Sequence, residues 1–266
     1  MHDIQNETDS RGIEIDDVGI SGLRYPLYFE DGHLRQEGIA DIEVTVRLQH
    51  DRRGTHMSRM VALAHEHLRR FDPRKLPYVL KIGADLLDAP ALTVSVDIPL
   101  STTVVAPASG AESCQVHDVR FEGRWNDGDT TVITSVTTEV TSLCPCSKAI
   151  SDYGAHNQRS RVTLSVTGYG DNPYPFGVQQ AVQLLEQCAS APVVPLVKRA
   201  DERVLTMQAY DHPVFVEDMA RDVSLACHDR GLVHSVRVRN LESIHSHDAV
   251  ARISSLALLR RGPSEG

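Results

Sequence analysis

The chain has 266 residues, 41% of them hydrophobic and 24% charged, with a formal net charge of -9. At roughly 150 residues per domain that is one large domain or two small ones, and the acidic balance argues against general polyanion binding, so no nucleic-acid partner is expected. No stretch reaches the ~18 apolar residues of a membrane span, and residues 1–10 are too polar and acidic for a signal or transit peptide, so a cytoplasmic protein with no membrane partner is expected.

In chain order, residues 1–17 read as a loose polar arm. A strand over 18–29 is weakened by Pro26, which has no N–H for a ladder. Ile42, Val44, Val46 and Leu48 alternate as in a strand, and from Thr55 the residues Met57, Met60, Val61, Ala64 and Leu68 share a helical face. A second helix follows over 78–87, then strands over 92–100 and, weakly, 116–125. The second half repeats the order, with strands over 132–140 and 162–166, helices over 176–189 and 213–227, and closing strands over 232–238 and 248–258. Pro213 would fall in the first turn of its helix, capped by Asp211, and 190–211 reads as a long connection. Two strands, two helices and two strands per half make an α+β protein with antiparallel sheets, divided as 18–126 and 127–260 with a tail at 261–266.

Five cysteines, an odd number in a long chain, do not make a secreted disulfide framework. Cys114, Cys188 and Cys227 read as small apolar fillers. Cys144 and Cys146 form Cys-Pro-Cys, where Pro145 bars a helix interior and an extended backbone would point both thiols the same way. His156 follows in the same polar stretch, and thiol plus imidazole at loop spacing suits a metal site as well as it suits a merely polar loop. In the second cluster, Glu242 to Asp248, His245 and His247 would share a strand face, with Glu242 one position out of phase unless the chain bends. Histidine moves protons near neutral pH, so this group is a candidate proton relay or a solvated pair. Glu202 lies in the long connection; Glu217, in a first helical turn, could accept paired N–H bonds from a purine edge. Lys148, Arg159, Arg161, Lys198 and Arg199, with Arg52, Arg53 and Arg59 around the first helix start, are candidate phosphate partners or ordinary surface charge.

The block SLCPCSKAISDYGAHNQRS at 142–160 closely resembles the motif of type IB GTP cyclohydrolases, as do GLRYP at 22–26, GTHMSR at 54–59, VKRADE at 197–202, FVEDM at 215–219 and ESIHSHDA at 242–249. The resemblance spans nearly the whole chain and departs at VLTMQ, 204–208, where the family usually reads Val-Thr-Glu. It implies a tunnelling fold of two tandem ββααββ modules with helices on one face, assembled as a homotetramer with active sites between subunits. It further implies conversion of GTP and water to 7,8-dihydroneopterin triphosphate and formate, the first step of folate-type pterin synthesis. By the same likeness Cys144, His156 and Glu202 would bind one divalent ion per site, zinc, manganese or iron. Cys146 would be a thiol in or beside that sphere, Glu217 the guanine anchor, and Glu242, His245 and His247 the proton-handling group. Three rival readings follow from the same residues. One is an archaeal-type cyclohydrolase yielding a cyclic phosphate, one a tunnelling-fold nitrile reductase with a cysteine nucleophile, and one a zinc protein without catalysis.

Overall fold

A computed structural model describes residues 5 and 7–255. The closing strand expected to 258 and the tail at 261–266 therefore run beyond the described residues. Among the described residues, ten strands and six α-helices make an α+β chain, organised as two compact units. One unit comprises the described residues up to 99 with 120–134 and 167–175; the other comprises 100–119, 135–166 and the described residues from 176 onward.

In the first unit, β1 (Ile15–Glu30) pairs antiparallel with β2 (Arg35–Leu48), which pairs antiparallel with β4 (Ala91–Val105). The two-residue β3 (Arg70–Phe71) adds to β1 in parallel, touching it only at Tyr28 and Phe29. Pro26 sits within β1 opposite Ile39, where β3 does not reach, so its missing N–H breaks no ladder. Ile42, Val44, Val46 and Leu48 all point inward, as their alternation requires. Two helices follow β2. Helix α1 (Met57–His67) buries Met60, Leu63 and Ala64; α2 (Leu76–Leu87), led in by a 3₁₀ turn over Pro73–Lys75, buries Leu76, Val79, Leu80 and Leu87. Residues 7–9, expected in a loose arm, bond to the 51–53 backbone: Asp9 N donates to Asp51 O at 2.9 Å and Arg53 N to Glu7 O at 3.1 Å.

Phe29, Phe71 and Phe121 pack ring to ring at 5.1–6.4 Å between centroids and form the aromatic centre of this unit. Tyr174 joins them and donates its hydroxyl to Asp31 at 2.7 Å. Gly123 lies flush against this core; a Cβ there would stand 2.8 Å from Leu76, so the helix can approach only a residue without a side chain.

The second unit takes the strand order β10-β9-β7-β6-β5-β4. Its elements are residues 112–119 of β5 (Glu112–Asn126), 135–143 of β6 (Asp129–Leu143) and 157–166 of β7 (Asn157–Tyr169), together with β9 (Val233–Asn240), β10 (Ala249–Ser254) and β8 (Ala191–Pro192) on β6. Alongside run α3 (Pro145–Ile150), α4 (Val178–Gln187), α5 (Arg199–Asp211) and α6 (Val216–His228). Part of this sheet's interior is polar yet satisfied. His117, 1% exposed, is held by Thr102 Oγ1 at its Nε2 and Thr138 Oγ1 at its Nδ1, both at 2.8 Å.

Two expectations fail here. The stretch 190–211 is not a long loop, since more than half of it, 199–211, is α5. Only Asp201 and Ala209 of that helix are buried, so it has no apolar stripe for periodicity to reveal. Helix α6 starts at Val216, not Pro213; Asp218 accepts from Phe215 N at 3.3 Å, and Asp211 ends α5 instead of capping α6.

Candidate active site

Strand β6 stops at Leu143 and the chain turns directly into α3. Cys144 is the N-cap, with φ -69° and ψ 117°, and its Sγ accepts from Ser147 N at 3.4 Å. The expectation of an extended Cys-Pro-Cys is therefore corrected. Pro145 occupies the first helical position, where its fixed φ is suited and no N–H is missed, so Cys146 falls in the helical turn. Cys144 is half-buried and Cys146 exposed, and the two thiols do not share a strand face.

His156 comes immediately before β7, and the backbone brings it to Cys144. Cys144 N donates to His156 O at 3.0 Å, and His156 N donates to Ser147 Oγ at 3.1 Å. Two potential metal donors thus stand at the paired ends of two strands, while residues 145–155 loop out between them. The imidazole Nδ1 lies 2.7 Å from Oε1 of the buried Gln158. An amide oxygen only accepts, so Nδ1 carries the proton and Nε2 presents a lone pair, the tautomer a metal ligand needs.

The loop from Glu242 to Asp248, between β9 and β10, bends and is not a strand. It is tied to β7 by Leu241 N donating to Arg159 O at 2.8 Å. The bend brings the out-of-phase Glu242 beside His156, with Oε2 3.9 Å from Nδ1. That oxygen is buried and has no hydrogen-bond partner. An orphaned buried acceptor costs about 1–3 kcal/mol, more if charged, a cost structures usually avoid unless a ligand or proton arrives there. The His245 ring stands edge-on to His156 at 6.4 Å and stacks on His247 at 5.3 Å. Both are exposed.

The remaining candidates sit on α5 and α6 or near them. Glu202 and Arg199 are exposed in the first turn of α5, with Lys198 as its N-cap. That helix end is anchored by a residue the sequence reading passed over. Asp201 is fully buried and accepts from Ala108 N, Ser109 N, Ser109 Oγ and Lys198 N at 2.7–2.9 Å. The Ser109 hydroxyl, followed by those backbone donors, holds its carboxyl well below the ordinary carboxylate range. The detectable signal was an acid three residues after Lys198, the capping-box spacing. Lys148 donates to Tyr210 O and lies over the Tyr210 ring at 4.2 Å; Arg159 pairs with Glu139 at 3.2 Å. Glu217 is exposed in the first turn of α6, as expected. Cys144, His156, Glu242, His245 and His247 thus form one neighbourhood. Among the described residues, no three His, Cys, Asp or Glu side chains are gathered closely enough to hold a metal ion, so Glu202 is not brought to Cys144 and His156.

The family model described as type I GTP cyclohydrolase folE2 matches residues 1–251. The chain belongs to this family. It is 41% identical over 254 residues to GTP cyclohydrolase FolE2 of Neisseria gonorrhoeae, spanning 95% of this chain and 97% of that protein. To FolE2 of Fervidobacterium nodosum it is 37% identical over 258 residues, spanning 96% and 97%. Among solved structures it resembles uricase from Arthrobacter globiformis, with a TM-score of 0.50 at 8% identity over 90% of this chain and 92% of that one. A uricase from Bacillus fastidious gives 0.50 at 10% identity over 97% and 98%. At such identity the likeness concerns the backbone alone, and the backbone is the tunnelling fold. Among the described residues no helix is long and apolar enough to cross a membrane.

Proposed function

We propose that this FolE2-family chain opens the imidazole ring of GTP by adding water at carbon 8, releases that carbon as formate, and closes the product as 7,8-dihydroneopterin triphosphate. The support is family membership together with one observation: the backbone-pinned Cys144–His156 pair beside the orphaned Glu242 carboxylate.

The donor chemistry fits a divalent ion: a thiol already accepting a helix-terminal N–H, an imidazole with Nε2 free, and carboxylates within the family motifs. Cys144 and His156 would hold it; Glu202, the third ligand implied by the resemblance, stands apart from them here and would have to be brought to the pair. When bound, such an ion supplies Lewis acidity and lowers the pKa of nearby water. Gln158 fixes the His156 tautomer. Glu242, having no internal partner for Oε2, holds or releases a proton at that oxygen. The stacked His245 and His247 carry protons between the opening ring and solvent. Glu217 would accept the paired N–H bonds of the guanine edge, and Lys198 and Arg199 would face the phosphates. Lys148 and Arg159, engaged by Tyr210 and Glu139, would have to exchange those partners to join them. Ile150 and Tyr153, 87% and 99% exposed beside the cysteine block, fit a second copy covering this face in a homotetramer.

The test is incubation of purified protein with GTP and manganese, zinc or iron, following formate and the fluorescence of oxidised neopterin. A cyclic phosphate product by mass spectrometry, or consumption of NADPH with a nitrile substrate, would replace this reading. Cys144→Ala is expected to abolish both metal retention and formate release; a fully active, metal-loaded variant would remove Cys144 from the ligand set.

A further inference from the structure

Beneath the candidate site a chain of hydrogen bonds runs through three side chains that the chemistry above does not use. Ser142, Ser160 and Asn240 are 1%, 0% and 3% exposed. Ser160 Oγ donates to Asn240 Oδ1 at 2.5 Å, Asn240 Nδ2 donates to Ser142 Oγ at 3.0 Å, and Ser142 Oγ donates to the Val214 carbonyl at 2.7 Å. The direction of the chain is fixed from one end. A carbonyl only accepts, so the Ser142 proton goes to Val214 and its lone pair is left for an N–H. That requirement turns the Asn240 amide nitrogen to Ser142 and the amide oxygen to Ser160.

Apolar side chains of the same size would fill this interior with no polar group to desolvate, so packing alone does not account for the set. Placement does. Every member lies on a segment that carries a site residue. Ser142 stands two residues before Cys144 at the end of β6, Ser160 four after His156 in β7, Asn240 two before Glu242 at the end of β9, and Val214 three before Glu217. The backbone is tied at the same level, with Val214 N donating to Leu143 O and Leu143 N to the buried Ser190 Oγ, both at 3.0 Å. Cys144 and His156 are joined directly by their backbones, whereas Glu242 lies in the loop beyond β9 and its buried Oε2 has no partner of its own. The Asn240 side chain and the Leu241 N–H both bond β7 just before that loop begins. In a low-dielectric interior, hydrogen bonds that share one direction reinforce one another, and they are all made in one register of the strands only.

We propose that Asn240 is a positioning residue. Clamped between Ser160 and Ser142, it sets the Glu242 carboxylate against His156, and through Ser142 and Val214 it keeps that carboxylate in register with the helix start that carries Glu217. The proton-handling role of Glu242 rests on the proposed GTP reaction; its placement by Asn240 does not.

The test separates placement from stability. Asn240→Leu is close in size but leaves the Ser160 hydroxyl without an acceptor, so it should lower the urea midpoint. Combining it with Ser160→Ala removes donor and acceptor together, a change that is close to neutral, so the double variant should recover most of that midpoint. Its kcat for formate release should nonetheless stay about 10²-fold below wild type at unchanged metal content, the effect of a reacting group misplaced by ~1 Å. A crystal structure of the double variant should show Glu242 Oε2 displaced by about 1 Å or more from its place 3.9 Å from His156 Nδ1. Ser224→Ala is the control: it removes a buried bond to His234 Nε2 at 2.8 Å in the same unit, and should lower stability while leaving kcat and KM unchanged. Recovery of kcat together with the urea midpoint, or a Glu242 carboxylate that keeps its place in the double variant, overturns the positioning role. If wild type releases no formate, the reaction falls and the crystallographic position of Glu242 decides the proposal alone: displacement supports it and retention overturns it.

Discussion

His117 offers a sharp test of how this sheet tolerates acid. It is 1% exposed between Thr102 and Thr138, and burial pushes its pKa down from 6.5 to about 4, with Asp118 opposing only weakly. Its folded value lies below its unfolded one, so the unfolded chain binds the extra proton as pH falls below about 6.5. Stability is then present in full above that value and lost progressively until the folded group titrates near 4. Between about pH 7.5 and 4.5 the loss from this one residue comes to about 2–3 kcal/mol. At ~1–3 kcal/mol per molar urea, that moves the unfolding midpoint by ~1 M or more. His117→Gln keeps groups that can bond both threonines but cannot titrate. Urea unfolding of both proteins, at one protein concentration and both pH values, should show the variant losing about 2–3 kcal/mol less than wild type. Parallel losses would refute the reasoning and mean that His117 protonates inside the sheet at little cost.

Four residues of the candidate site give further expectations. Glu242→Gln should keep the metal content of the protein while lowering kcat by about 10²–10⁴, the usual worth of a proton-transfer group; an unchanged kcat would exclude that role. Glu217→Gln should raise KM for GTP more than it disturbs metal content, and an unchanged KM would exclude the guanine anchor. His156 is fixed through Gln158, so Gln158→Leu should weaken metal affinity by about 10–100-fold with Cys144 and His156 intact, read by competition with a chelator; undiminished affinity would separate the two residues. Asp201→Asn leaves one of four donors' shared acceptor atoms unable to accept, so hydrogen exchange across α5 should quicken. Because the Asp201 carboxyl is held low, its stabilisation is present above the usual carboxylate range and fades as pH falls through the depressed folded value; identical acid unfolding of wild type and Asp201→Asn would contradict this.

How much of the molecule the sequence disclosed depended on whether burial wrote a period into it. Strands β2, β4 and β6 were readable because one face is apolar and the other polar, and the buried positions of β6 include Val132, Val136 and Val140 as the alternation requires. Strand β5 was faint because its inward positions mix Gln115 and His117 with Val119 and Phe121, so polarity hid the face. Helix α5 was invisible for a related reason: its buried positions are one aspartate and one alanine, Asp201 and Ala209, and not an apolar stripe. Proline misled twice, in opposite senses. Pro145 begins a helix where an extended segment was expected, and Pro213 precedes one that it was expected to open. At the site, chemistry-bearing residue types were legible and their convergence was not. Nothing local in Cys144 or His156 announces the backbone bond between them, and Gln158 and Asp201, which orient their neighbours, carry no catalytic signature of their own.

The bond from Cys144 N to His156 O also separates two kinds of inheritance. It closes the stem of the 145–155 segment, and Ser147, bonded to both Cys144 and His156, belongs to that stem, so only the outer residues 149–155 form a replaceable cassette. Descendants could lengthen, shorten or redecorate that cassette, Ile150 and Tyr153 included, and so try new neighbours while the sulfur and imidazole stay in register.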